Sequence, residues 1–83
     1  MKLSPDVTAT ETGDGMVLLN ERTGRYWSLN QTGRAVLLSL MDGRGPEDAV
    51  EDLARRYPSF ADRIAQDVEA LVRSLLEEKV VLP

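Results

Sequence analysis

Eighty-three residues leave room for one domain with one modest core, and a composition 42% apolar and 29% charged is that of a folding chain rather than a disordered one. Histidine and cysteine are both absent, which removes the commonest general base, the commonest transition-metal ligands, thiol nucleophiles and any disulfide framework. Ten Lys and Arg against fourteen Asp and Glu give a net charge of -4, a field that repels phosphate backbones, so neither a self-contained enzyme nor a nucleic-acid binder is expected.

In chain order, Thr8 and Thr10 alternate with Val7 and Ala9 in a short strand over residues 7–11, and Gly13-Asp14-Gly15 has turn chemistry. Residues 16–20 form a second strand. Glu21-Arg22-Thr23-Gly24 then reads as a hairpin loop with Gly24 free to take positive φ, leading to a third strand over residues 25–29. These segments predict an antiparallel meander with the second strand at its centre.

After Asn30 the period changes from two to three and four. Asn30 caps a helix that places Val36, Leu37, Leu40 and Met41 on one face, and Asp42-Gly43 stops it. Pro46 at a first helical position, with Glu47 and Asp48 in the first turn, opens a second helix that turns Val50, Leu53, Ala54 and Tyr57 inward and ends at Pro58. Ser59 and Asp62 have capping-box spacing, and Ile64, Val68, Leu71, Val72, Leu75 and Leu76 form the strongest amphipathic stripe, predicting a third helix to about Lys79. The tail Val80-Val81-Leu82 is too apolar to float free and either docks on the helices or pairs as a strand.

The expected architecture is therefore a single α+β domain over residues 1–83, a winged helix-turn-helix in which a three-stranded antiparallel sheet is followed by three helices. Winged helices often bind DNA, and a DNA-binding regulator is the alternative reading. The third helix, however, carries Asp62, Asp67, Glu69, Glu77 and Glu78 against Arg63, Arg73 and Lys79, so a major groove would repel it. The acid pairs Glu47/Glu51 and Asp48/Asp52 read as a solvated helix face beside Arg55 and Arg56. No phosphate-binding glycine run is present, and no cofactor or metal is expected. No apolar run approaches a membrane span, and residues 1–6 lack an apolar export core, so no membrane partner and a cytoplasmic location are expected.

What remains is an interaction surface. The third strand, Arg25, Tyr26, Trp27, Ser28 and Leu29, is an edge of the meander unless the tail covers it, and neither Pro nor Lys blocks pairing there. Trp27 shares a face with Leu29 toward the helices, as core or as the wall of a groove, while Tyr26 alternates to the other face, as a half-exposed tyrosine or a partner contact. Flanking the stripe of the third helix, Arg63, Asp67, Ala70, Ser74 and Glu77 recur at three and four, and the small side chains at 70 and 74 leave a shallow depression. Edge strand and depression together predict a slot for an extended peptide between the third strand and the third helix. Gly33, early in a helix where it costs about 1 kcal/mol relative to Ala, marks either a close approach of neighbouring backbone or a loose helix start.

The run Gly24-Arg25-Tyr26-Trp27-Ser28-Leu29-Asn30-Gln31-Thr32-Gly33 resembles the PqqD-like family, the precursor peptide recognition elements of ribosomally made, modified peptides. The similarity continues through Asp42-Gly43, through Ala49, Val50, Leu53 and Tyr57, and through Asp67-Val68 to Leu71, Leu75 and Leu76, from about Leu3 to Leu82. It is strongest to the stand-alone members from lasso peptide biosynthesis. The resemblance implies a non-catalytic adaptor that binds the leader segment of a precursor peptide as a strand added to the third strand, against the third helix. It implies binding residues at Arg25 to Leu29 and around Asp67, Ala70, Leu71 and Ser74. It further implies a separate leader peptidase of cysteine-protease type as partner, and a PqqD-type chaperone of a radical SAM enzyme is the other member function it leaves open.

Overall fold

A computed structural model describes residues 1–83. Strand β1 (Lys2–Leu3) is followed by β2 (Val7–Glu11), β3 (Gly15–Asn20) and β4 (Tyr26–Asn30). Helices α1 (Gln31–Met41) and α2 (Pro46–Arg56), a 3-10 turn (Pro58–Phe60), helix α3 (Ala61–Glu77) and strand β5 (Val81–Leu82) complete the chain. The meander is antiparallel in the order β2-β3-β4, and the fold is the α+β winged helix-turn-helix expected. A separate antiparallel pair, β1 with β5, was not legible for its N-terminal half: Leu3 lies opposite Val81, and the Ser4 amide donates to the Val80 carbonyl at 2.9 Å. The apolar tail thus pairs as a strand, and Val80 and Val81 are fully buried. No helix is long and apolar enough to cross a membrane.

Two packed clusters meet along α1. The inner face of the sheet, with Val7, Met16, Leu18 and Leu29, closes over Leu37, Leu75, Val80 and Val81. Val36 and Leu40, on the other side of α1, pack with Ala49 and Leu53 of α2 and with Ile64, Val68 and Val72 of α3. Each fully buried Leu or Val of this kind contributes roughly 1.5 to 3 kcal/mol. One amphipathic helix therefore joins the sheet to the helical layer, because adjacent residues on it face different neighbours.

Several boundaries and orientations differ from the sequence reading. Gly15 is the first residue of β3, opposite Asn30, rather than part of the turn. Strand β4 starts at Tyr26, one residue later than expected, because Arg25 and Gly24 close the hairpin onto Asn20, Gly24 at φ 80. Met41 is 41% exposed, since the buried stripe of α1 ends at Leu40. Tyr57 is 50% exposed because the backbone leaves the helix there, at φ -129 and ψ 66. Ser59 caps nothing: it lies within the 3-10 turn that Pro58 starts, and α3 begins at Ala61.

The ends of α1 and α3 are the same device with different residues. After α1, the Gly43 amide donates to Leu40 and the Arg44 amide to Ser39, with Gly43 at φ 85; after α3, Lys79 donates to Leu76 and Val80 to Leu75, with Lys79 at φ 58. Both are Schellman closures, and the second places a lysine where its Cβ is disfavoured. Lys79→Gly is expected to stabilise the fold by about 0.5 to 1 kcal/mol, a rise in melting temperature of roughly 2 to 8 °C. Thermal unfolding followed by circular dichroism checks this, and a lower melting temperature would contradict it.

Candidate functional site

Strand β4 has a partner on one side only. Its register decides which of its backbone groups are free. In β3 the Gly15 carbonyl accepts from Thr12 and the Glu21 amide donates to Asp6, so odd-numbered positions bond toward β2, whereas the Asn20 amide donates to the Arg25 carbonyl at 2.8 Å on the β4 side. Antiparallel ladders alternate, so Leu18 and Met16 bond Trp27 and Leu29, their partners in register. The amides and carbonyls of Tyr26 and Ser28 therefore point away from the sheet, along the open edge.

Beside that edge, the end of β4, the first turn of α1 and the first half of α3 enclose a groove of 430 Å³. Leu29, Val36, Ile64 and Val68 supply its buried apolar surface, and Ser28, Asn30, Thr32, Asp67 and Leu71 its more exposed surface. Asn30 sets the geometry where strand becomes helix: its Oδ1 accepts from the Gly33 amide at 2.9 Å and caps α1. A Cβ on Gly33 would come within 3.3 Å of the Leu29 Cβ, so the glycine serves a close approach, made by a side chain rather than by backbone.

The sequence-predicted residues separate into three places. Ser28, Leu29, Asp67 and Leu71 come together in the groove. Arg25 and Trp27 lie at the opposite end of β4, where the Arg25 guanidinium sits 5.7 Å from the Trp27 ring centre and pairs with Glu78, just past α3, at 2.6 Å. Trp27 also packs on the sheet-side core. Tyr26, 71% exposed, lies on the outer sheet face opposite Leu19. Ala70 and Ser74 are exposed on α3 but do not line the groove. Thr32, Val36, Ile64 and Val68 were missed as groove residues, because they read as helix start and core stripe. The only signal in that region was Gly33.

The two electrostatic features with a resolved effect lie on α1 and just after it. Arg34 donates to both carboxylate oxygens of Glu11 on β2, Nη2 to Oε2 at 2.8 Å, and this holds the Glu11 carboxyl below its usual 4.5. Arg44 is held firmly protonated by its hydrogen bond to Asp52. Asp67, by contrast, has no ion-pair partner within the chain, and neither has Arg63 one turn before it.

An open strand edge beside an apolar groove on a small winged-helix frame is a surface that an extended segment can join. The family model of coenzyme PQQ synthesis protein D (PqqD) matches residues 15–81, and the chain belongs to the PqqD family. Among solved structures it is similar to a lasso peptide synthetase B1 complexed with the leader peptide, with 38% identity, 99% of this chain and 96% of that chain covered, and a TM-score of 0.86. It is also similar to TbiB1 in complex with the TbiA(beta) leader peptide, with 28% identity, 96% and 93% coverage, and a TM-score of 0.81. No curated protein matches.

Proposed function

We propose that the chain is a non-catalytic adaptor that binds the leader segment of a ribosomally synthesised precursor peptide, of lasso type, and presents it to a separate leader peptidase. The observation that carries this reading is the free edge of β4, with the Tyr26 and Ser28 backbone groups directed outward beside the groove, in a chain 38% identical to a B1 protein in a leader complex. The leader adds as a fourth strand. Its backbone bonds Tyr26 and Ser28, and the side chains on its inward face meet Leu29, Val36, Ile64 and Leu71. Asp67, without an internal partner, accepts a hydrogen bond from a cationic or N-H group of the leader. Arg25 acts differently from the other expected contacts. Committed to Glu78 and Trp27, it ties the start of β4 to the end of α3 and holds the two walls together. Histidine and cysteine, the commonest base and the thiol nucleophile, are absent from the chain, which supports a cleavage made by the partner, a peptidase of cysteine-protease type. Service to a radical SAM enzyme, which the resemblance leaves open, is the second assignment, and the likeness to two B1 proteins in leader complexes favours the first.

The test is titration calorimetry with the synthetic leader of a lasso-type precursor peptide encoded in the same genome. Wild-type protein is expected to bind it with one-to-one stoichiometry and to show no affinity for arbitrary duplex DNA. Asp67→Asn is expected to weaken binding about tenfold by removing a charge-assisted hydrogen bond, while the remote Glu51→Gln leaves it unchanged. Equal affinity of Asp67→Asn and wild type, both folded, would remove Asp67 from the site, and salt-sensitive DNA binding without leader binding would replace the whole reading.

A further inference from the structure

The groove beside β4 has a neighbour across α1. Two of its wall residues, Thr32 and Val36, are also walls of a larger cleft of 580 Å³ between α1 and α2. That cleft is polar where the groove is apolar, and several of its groups are unsatisfied. Ser39 Oγ is buried with no hydrogen-bond partner, and Leu38 and Tyr57 keep 37% and 50% of their surface exposed there. Of its three guanidinium groups, Arg34 is taken by Glu11 and Arg44 by Asp52, whereas Arg56 has no carboxylate partner. With Glu11 counted beside Arg34, the three cations of the cleft stand against three acids, Glu11, Asp42 and Asp52, and Arg56 is the one cation left without a partner.

We propose that this cleft is a second subsite for the same bound peptide, taking an acidic side chain on Arg56 next to an apolar or aromatic one against Leu38 and Tyr57. The proposal rests on strand addition at β4 and extends it. Antiparallel addition, the stronger pairing, directs the N-terminal side of the peptide toward Asn30, where groove and cleft adjoin. At about 3.3 Å per extended residue, a few residues upstream of the added strand carry the peptide from one to the other. The Arg56 guanidinium, which has no carboxylate partner within the chain, then gains one from the peptide.

The experiment follows backbone amide resonances of the protein as the synthetic leader of a lasso-type precursor peptide encoded in the same genome is added, in full length and shortened on its N-terminal side up to the added strand. With the full leader, amides in the groove (Ser28, Leu71) and in the cleft (Ser39, Tyr57) are expected to shift together; with the shortened leader only the groove set shifts. Arg56→Gln is expected to weaken the full leader about tenfold and the shortened one not at all, with Lys2→Gln as the charge control. Groove shifts without cleft shifts, together with unchanged affinity of Arg56→Gln, overturn the second subsite and leave strand addition standing. No shift in either set overturns strand addition, and this proposal with it. Cleft shifts that arise only when the leader peptidase is added assign the cleft to the peptidase and overturn the proposal.

Discussion

Gly15→Ala is expected to lower stability by about 3 kcal/mol, a large share of the total on the order of 4 to 12 kcal/mol for a chain of this size. The reason is local and steric. A Cβ at position 15 would overlap the Leu29 carbonyl oxygen and stand 2.8 Å from the Asn30 carbonyl carbon, so backbone on β4 must move away from β3 where strand passes into helix. Backbone cannot yield as the far end of a flexible side chain can. The displaced residues, Leu29 and Asn30, wall the groove, so leader affinity should fall together with stability. The control is Gly13→Ala, where an added Cβ meets nothing within 4 Å. Melting temperatures followed by circular dichroism should separate the two variants by roughly 15 °C. If they melt together, β3 and β4 do not approach this closely at the groove.

Ser28→Pro is expected to leave the fold intact and to weaken leader binding roughly 10- to 100-fold, whereas Trp27→Pro is expected to unfold the sheet. The two positions are neighbours with opposite roles in the ladder. Ser28 directs its amide to the open edge, so proline there removes a donor that only an added strand uses, and its ring obstructs that strand. Trp27 bonds inward to Leu18, so proline there breaks a native ladder bond and also loses an indole packed on the core, at about 3 kcal/mol or more. Calorimetry with the synthetic leader and circular dichroism on both variants check this pair. Full leader affinity in a folded Ser28→Pro protein would exclude strand addition at β4.

Much of this architecture is written in local sequence, because each element is specified by groups within a few residues of one another. The strand over residues 7–11, the positive-φ glycine at Gly24, the Asn30 cap, Pro46 at the start of α2 and the stripe from Ile64 to Leu75 are each set by residues near in sequence, and all are present in the structure, although only Val7 of the first of these is buried and Ala9 is exposed. The open third strand and a slot against the third helix are expected from the same local reasoning, since an edge strand without Pro or Lys and a helix face with small side chains at Ala70 and Ser74 are properties of single segments. The resemblance carried by Tyr26, Trp27, Leu29, Asn30, Thr32 and Gly33 agrees with the family match.

Tertiary structure decided what depends on distant residues meeting. Two apolar residues at the end of the chain became a strand only because Lys2 and Leu3 lie beside them, and a two-residue pair has no local signal. Which β4 amides face outward is a matter of register, set by hydrogen bonds to β3 that composition does not encode. Arg25 reads as a free contact in sequence, yet its charge is committed to Glu78, fifty-three positions away. The small residues Ala70 and Ser74 fell outside the groove, and Thr32, Val36, Ile64 and Val68 fell inside it, because the helix-crossing geometry, not the pattern along α3, determines which part of a helix meets the strand. Sequence thus determined the elements and the kind of surface they would leave open; only the packing of α1 between sheet and helices decided where that surface lies and which side chains form its walls.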